Sequence, residues 1–147
     1  MEVILGFLYA SLLEWVLHKY VLHGLGKRKN FPLFKFHWSS HHKTTRKNLG
    51  LDSAYIWPME QDAWKEVGTL VVLCLAHSWL FLISPIFFLY LCIHSVAYFY
   101  IHSRCHLAAQ FCRKYFPWHF SHHMGKNQDA NWGVTNPIFD YIFRTRK

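Results

Sequence analysis

Two long apolar blocks dominate the hydropathy pattern of the chain. The first is VILGFLYASLLEWVL at residues 3–17, and the second runs almost unbroken over residues 67–101. The second block is too long for one membrane crossing, since about 20 residues span a bilayer. Pro85 lies near its middle and disfavours helical geometry at Ser84. The pattern therefore predicts three helices, the last two joined by a tight hairpin, at about 2–23, 67–83 and 86–106.

The charged residues indicate how these helices are oriented. The chain carries 16 Lys and Arg against 8 Asp and Glu, and all the basic residues lie at 19–65 or 104–147. With three crossings both basic regions fall on one side of a membrane, and the positive-inside bias makes that side cytoplasmic. Anionic lipid headgroups account for the net charge of +8, so we expect no nucleic-acid partner.

The composition agrees with a membrane protein. Aromatic residues make up 19 % of the chain and charged residues only 16 %, well below the ~25 % charged residues of an average soluble domain. The predicted fold is all-α and integral to the membrane, with about three transmembrane helices and a cytoplasmic, histidine-rich helical cap that binds metal. We expect a single domain over 1–147, with the cap formed by 24–66 and 107–147. The four cysteines form no CxxC pair, and we predict no disulfide.

Histidines supply the candidate chemistry. Ten of the twelve fall in four clusters at or just beyond the predicted cytoplasmic helix ends: His18, His23, His37, His41, His42, His102, His106, His119, His122 and His123. Residues three or four apart share one face of an α-helix, which brings together HFSHH (119–123) and the H-x3-H pairs. His18 and His23 are five apart, about 140° around an α-helix. They can share a site only if the helix end unwinds, unless each serves a different metal.

Imidazole is the commonest metal ligand in proteins and suits iron, zinc, copper and nickel. Because ten imidazoles are too many for one ion, the sequence predicts two. We interpret His77 and His94 as polar groups satisfied within the helices, with His94 a candidate to support His102, two steps of four residues further on. Apart from Glu2 at the first position, Glu14 is the one acid inside a predicted membrane helix, and it lies one turn before His18. We predict that it accepts a hydrogen bond from a metal-bound histidine. The acids with a similar candidate role, or a turn-capping role, are Asp52, Asp129 and Asp140.

The order of these motifs resembles the fatty acid hydroxylase/sterol desaturase superfamily. The matching segments are HKYVLH (18–23), HWSSHH (37–42), His102, HFSHH (119–123) and NWGVTNPIFDYIFRT (131–145). The stretch SLLEWVLHKYVLHG (11–24) is most similar to the fatty acid 2-hydroxylase branch, which has a similar glutamate before an H-x4-H box. The resemblance covers nearly the whole chain.

The third histidine box departs from the family pattern. The spacing to HFSHH makes His102 the second histidine of the family's HxxxH, which leaves Tyr98 in the first position. In the alternative register the box is His102 and His106. The second box also differs, since it is H-x3-HH where the 2-hydroxylase branch more often has H-x2-HH.

The resemblance implies a membrane-bound non-haem di-iron enzyme that hydroxylates a lipid C–H bond with O2. It implies two iron ions, which zinc can replace on isolation, a lipid substrate and an external electron donor such as a cytochrome b5-like protein or a ferredoxin. Sterol or carotenoid hydroxylation and desaturation on the same scaffold remain open, as does a non-enzymatic membrane protein that binds or transports metal. The segment FPLFKFHW (31–38) either lines the substrate entrance or anchors the chain at the membrane surface.

Overall fold

The computed structural model describes residues 1–147 and contains helices and connecting loops, with no β-strand, which confirms the expected all-α fold. The α-helices are Glu2–Val16 (α1), Lys43–Lys47 (α2), Trp64–Ala76 (α3), Pro85–Leu107 (α4), Ala109–Tyr115 (α5), Pro117–Met124 (α6) and Ile138–Ile142 (α7). Two π-helices and two short 3-10 turns complete the secondary structure: Leu17–Leu25 (π1), Phe34–His42 (π2), Ser53–Tyr55 and Ser78–Leu82.

The second apolar helix, α3, is shorter than the pattern predicts. It ends at Ala76, where the expected helix continues to residue 83, and a 3-10 turn takes over beyond it. His77 lies at this end, where both its backbone N–H and its ring Nδ1 donate to the carbonyl of Leu73, at 3.2 Å and 2.8 Å.

The third apolar helix, α4, is the one helix long and apolar enough by itself to span a membrane. Ser84 caps it by accepting the N–H of Phe87 at 3.2 Å, and Pro85 occupies the first turn, where its missing N–H costs nothing. Its 23 residues rise about 35 Å, whereas the 13 residues of α3 rise only about 20 Å of a hydrocarbon core about 30 Å thick. By length alone, the three expected crossings are therefore reduced to one candidate.

The helices form a bundle with the histidines at one end. α1 and α3 pack along α4, α5 packs against the end of α4, and α6 packs against α5 and α2. π1 continues directly from α1 and packs on π2, while the C-terminal α7 packs against α1. The histidines of both π-helices, of the last turns of α4 and of α6 therefore lie close together at one end of the bundle.

Burial is inverted relative to an ordinary soluble domain. The buried residues include ten histidines and only ten hydrophobic residues. Large apolar side chains instead lie exposed along α1, α3, α4 and the hairpin, among them Leu82 and Val96, which are 86 % and 71 % exposed. Apolar surface of this extent is typical of a face that contacts membrane or a partner.

The C-terminal segment is fixed in place by a buried carboxylate. Asp140 accepts hydrogen bonds from the backbone N–H groups of Trp132 at 2.9 Å and Gly133 at 2.8 Å, and from the Thr145 hydroxyl at 2.7 Å. Position 133 needs glycine, because a Cβ there would lie 2.0 Å from the carbonyl oxygen of Asn136. This turn holds the Trp132 carbonyl against the histidines.

Candidate metal centre

The two π-helices bring together histidines that are five positions apart. His18 and His23 lie on π1, and His37 and His42 lie on π2. A π-helix closes its hydrogen bonds between residues i and i+5, so these residues stack on one side instead of pointing apart. The ring centroids are 5.2 Å apart in the first pair and 4.8 Å apart in the second. A wider helix therefore solves the spacing problem of the H-x4-H box, and the helix end does not unwind.

These two pairs make up the first histidine group: His18, His23, His37 and His42. Each offers one ring nitrogen, and the four nitrogen atoms lie within 4.8 Å of one another. The separation is small enough for one ion to be bound by all four imidazoles. Nitrogen ligands of this kind suit iron and zinc.

The second histidine group consists of His41, His102, His106 and His123, again with one nitrogen each within 4.8 Å of the others. His102 and His106 are four apart on α4 and share one α-helical face. The structure thus places His106 in the group. Tyr98 lies one turn before His102, with their ring centroids 5.5 Å apart.

The remaining two clustered histidines lie between and beside these groups. Nitrogen atoms of His42, His122 and His123 also converge within 4.8 Å and connect the first group to the second. His119 places its Nε2 3.2 Å from Nε2 of His106. All ten histidines singled out in the sequence are buried, none more than 5 % exposed.

Backbone carbonyls orient three of the histidines. The Nδ1–H of His18 donates to the carbonyl of Trp132 at 2.6 Å, that of His122 to Ala130 at 2.8 Å, and that of His106 to Gly50 at 3.2 Å. A hydrogen bond on Nδ1 fixes the tautomer and turns the Nε2 lone pair toward the inside of the site.

Two carboxylates orient histidines of the second group by accepting hydrogen bonds from their Nδ1 atoms. Asp52 accepts from Nδ1 of His41 at 3.1 Å, and Glu66 accepts from Nδ1 of His102 at 2.8 Å. The Tyr55 hydroxyl donates to the other oxygen of Glu66 at 2.6 Å. Asp52 also caps the turn at Ser53–Tyr55 by accepting the N–H of Ala54.

The inner nitrogen atoms have no protein partner that satisfies them. Nε2 of His18, His37 and His41 is buried without a hydrogen bond, as is Nε2 of His122. Nε2 of His102 and Nε2 of His106 lie 3.2 Å apart although both rings donate through Nδ1, so two lone pairs face each other. Buried unpaired nitrogen atoms cost about 1–3 kcal/mol each, and a divalent cation removes that cost. The donor set therefore fits metal ions.

Burial also keeps these ligands in the form that binds metal. Desolvation lowers the pKa of five histidines outside the apolar helices, because burial disfavours the charged imidazolium: His37, His42, His119, His122 and His123. Neighbouring histidines lower these pKa values further, since two adjacent rings resist being charged together. Neutral imidazole is the ligating form.

Glu14 accepts hydrogen bonds from none of the ten clustered histidines. It does not contact His18, because the helix widens at Leu17 and position 18 no longer lies directly above position 14. Its carboxylate instead accepts from the N–H groups of Val134 and Thr135, the latter at 3.0 Å, and from the Thr135 hydroxyl at 2.8 Å. Nε2 of His94 lies 3.1 Å from Oε2 of the same carboxylate. Glu14 therefore ties the C-terminal segment to α1 and α4.

The other predicted supporting residues act at a distance from the ligating nitrogen atoms. Asp140 contacts no histidine and orders the turn that carries the Trp132 carbonyl. Asp129 forms an ion pair with Lys27 and lies 3.6 Å from Nδ1 of His23. His77 lies outside the clusters, where it contacts the Tyr9 hydroxyl at 2.8 Å.

Sequence reasoning missed Glu66 and Tyr55. Glu66 is buried and accepts a hydrogen bond from His102. It precedes the second apolar block by one residue and so lies outside the predicted membrane helix. Its position at the border of that block is the signal that could have identified it. Tyr55 carries no comparable signal, because its role depends on the loop fold that brings its ring onto His106.

An apolar cavity of about 130 Å³ adjoins both histidine groups. Its wall consists mainly of side chains from α1, α3 and α4, including Leu13, Leu70 and Leu91, and it reaches His18, His37, His41 and His102. Leu33 and Phe36 also line it, so the segment 31–38 contributes to the cavity wall. The site can therefore hold an apolar group next to the histidine nitrogen atoms.

The fold and site together define an all-helical protein with buried histidine groups that could hold metal ions, beside an apolar cavity. The family model described as fatty acid hydroxylase matches residues 3–145, and the chain belongs to this family. Membership implies an oxygenase-type enzyme and confirms the predicted superfamily, without distinguishing its 2-hydroxylase branch. No curated protein and no solved structure matches the chain.

Proposed function

We propose that the protein is a membrane-bound, non-haem di-iron enzyme that uses O2 to hydroxylate a C–H bond of a fatty acyl chain or related lipid. The observation that carries this proposal is the meeting of two four-histidine groups with one apolar cavity. One group would hold each metal ion, and His122 and His119 would complete the ligand sets. The resemblance of residues 11–24 favours the 2-hydroxylase branch.

Iron bound by the histidines would supply O2 activation, chemistry that no side chain here can perform alone. The chain's own contribution is to fix the imidazoles through Asp52, Glu66 and three backbone carbonyls. The apolar wall of the cavity excludes water and aligns the lipid chain with the histidines. In the net reaction one oxygen atom of O2 enters the C–H bond, and the other leaves as water.

The balance of that reaction requires a partner. Two electrons and two protons must come from outside, and the chain carries no residue set that stores electrons. An external one-electron carrier, such as a cytochrome b5-like protein or a ferredoxin, would supply the electrons. The basic residues at 19–65 and 104–147 provide a surface for an acidic carrier.

The proposed setting is a membrane, with the histidines and the C-terminus on the cytoplasmic side. The exposed apolar side chains of α1, α3 and α4 support contact with lipid, and α4 has the length to cross a bilayer. α1 together with π1, and α3 together with its 3-10 turn, would embed beside α4 as the second and third membrane helices. The absence of Lys and Arg from 1–18 and 66–103 supports this orientation.

Product analysis tests the proposed reaction. Iron-loaded protein in lipid nanodiscs, supplied with a reductant and O2, is expected to convert an acyl lipid to a product heavier by one oxygen atom. Labelled O2 should appear in the product. A product lighter by two hydrogen atoms would replace hydroxylation with desaturation, and products from sterol or carotenoid substrates alone would favour the alternative on the same scaffold. No oxygen-dependent product from any lipid would contradict the proposal.

A further inference from the structure

A polar strip on α4 runs from the cavity to the metal centre, which uses only part of it. His94, Tyr98, His102 and His106 follow one another at intervals of four residues, so each side chain lies next to the following one along the helix. His102 and His106 belong to the second histidine group, whereas His94 and Tyr98 line the apolar cavity. The strip leads from the cavity into the metal centre.

Most polar side chains of the cavity already have partners inside the protein. The hydroxyl of Thr69 donates to the carbonyl of Lys65, and that of Ser95 donates to the carbonyl of Leu91. Glu14 accepts four hydrogen bonds, and Glu66 is shared by His102 and Tyr55. These groups hold the fold together and have little capacity left for a ligand.

His94 and Tyr98 are the exceptions. Nε2 of His94 donates to the Glu14 carboxylate at 3.1 Å, which in a neutral ring leaves Nδ1 as an acceptor, and that atom has no partner in the chain. The Tyr98 hydroxyl, which can both donate and accept, has no partner either. Neither atom is completely enclosed by the protein, so each can pair with a polar group inside the cavity that both residues line. Two such groups one helical turn apart point to a polar ligand.

We infer that His94 and Tyr98 bind a hydroxyl group of the substrate lipid, on the membrane side of the carbon that reacts. At a rise of about 1.5 Å per residue, Tyr98 lies about 6 Å and His94 about 12 Å along α4 from His102. The substrate class is thus a lipid with a polar group several carbon atoms beyond the reactive position. This inference rests on the proposed function, because it assigns the reactive position to the histidine end of the cavity.

The role of each residue follows from its surroundings. Glu14 fixes the ring of His94, and Glu14 is itself held by Thr135, so the acceptor is preorganised for a hydroxyl donor. Tyr98 adds a second contact one turn nearer to the metal centre. A site built to hydrogen-bond a hydroxyl discriminates against the analogue that lacks it, because its own polar groups are then left unpaired.

Binding measurements with matched lipid pairs test the inference without turnover. The probes are 12-hydroxyoctadecanoic acid against octadecanoic acid, and cholesterol against cholestane, each tritiated and added to zinc-loaded protein in nanodiscs. The wild type is expected to bind the hydroxylated member of at least one pair about 10-fold more tightly. This ratio corresponds to a difference in binding free energy of about 1.4 kcal/mol. The first pair reports a hydroxyl on a chain, the second a hydroxyl on a ring.

The decisive variant is Tyr98→Phe, which removes one oxygen atom that has no partner in the protein and so should leave the fold intact. Tyr98→Phe is expected to reduce the preference for the hydroxylated lipid over its matched partner several-fold. His94→Leu is expected to reduce the same preference. The matched control is Tyr90→Phe, a tyrosine on the same helix that does not line the cavity. Its preference should equal that of the wild type.

Two results would overturn the inference. One is equal binding of both members of each pair by the wild type. The other is a loss of bound zinc in Tyr98→Phe, which would make Tyr98 part of the metal centre. A preserved preference without any hydroxylated product would instead contradict the proposed function alone, so the two failures are distinguishable.

Discussion

The hydrogen bond on the outer nitrogen of each histidine decides which nitrogen is free to bind a metal. Five of the clustered histidines donate through Nδ1 to a carbonyl or carboxylate, and their inner nitrogen atoms converge. The histidines were predictable because they recur at helical spacings. Their partners were not, because residues such as Glu66 and Trp132 lie far from their histidines along the chain and only the fold brings them close.

Glu66 provides the sharpest residue-scale test of this support. Glu66→Ala leaves Nδ1 of His102 and the Tyr55 hydroxyl without their shared acceptor, and the affinity for metal is expected to fall about 10–100-fold. Competition with a chelator measures the affinity. Glu60→Ala, at an exposed glutamate six residues earlier, is the control and should bind metal as the wild type does. Equal affinity in both variants would contradict the role of Glu66.

Acid should weaken both the fold and the metal site. Burial lowers the pKa of His37, His42 and His119 below the ordinary value of 6.5, so the unfolded chain takes up protons that the folded chain excludes. Stability is therefore complete above about pH 6.5 and falls as the pH decreases below it. Bound metal competes with the same protons and should be released over the same range. Melting temperature and metal content measured between about pH 8 and pH 5 check this, and a flat profile would contradict it.

At the scale of elements, the π-helices are the feature that determines the site. They place the i, i+5 pairs of the first histidine group on one side, which no α-helix would do. The long helices could be predicted from the apolar blocks, because an apolar run of this length is typical of a membrane helix.

The π-helices could not be predicted, since the hydrophobic periodicity of the sequence does not show where a helix gains about one residue per turn. The early end of α3 at Ala76 could not be predicted either, because the apolar run continues past it without a break in the hydropathy pattern.

Moving one histidine by one position tests the π geometry. The double variant Leu22→His with His23→Leu moves the second imidazole of π1 from position 23 to position 22. It then lies four residues after His18, the spacing that brings two side chains together on an α-helix. On π1, position 22 faces the cavity, so the first histidine group should lose a ligand and bind its metal at least about 10-fold more weakly.

Leu22→Gln alone is the control for this exchange, because it introduces a polar group at position 22 and keeps His23. Metal content should stay at the wild-type level in the control. Full metal content in the double variant would show that the segment behaves as an α-helix and would contradict the assigned geometry.

At the scale of the whole molecule, apolar surface and polar interior are segregated along the bundle. Apolar side chains cover the outside of α1, α3 and α4, while the buried volume at the other end holds imidazoles and carboxylates. Hydrophobic burial among protein side chains cannot stabilise such an interior alone. Lipid around the helices and metal between the histidines would supply the missing stabilisation. Metal removal is therefore expected to loosen the histidine end of the bundle first.

In the proposed enzyme the clustered histidines form a two-metal centre, and the metal content per chain is the direct test of that centre. Elemental mass spectrometry of the purified protein should find about two metal ions per chain, because eight to ten imidazoles exceed the four to six ligands of one ion. The content should fall in His122→Ala, which removes a nitrogen atom between the two groups, and stay unchanged in His77→Ala, outside the clusters. Less than one ion per chain, with the same value in both variants, would contradict the account.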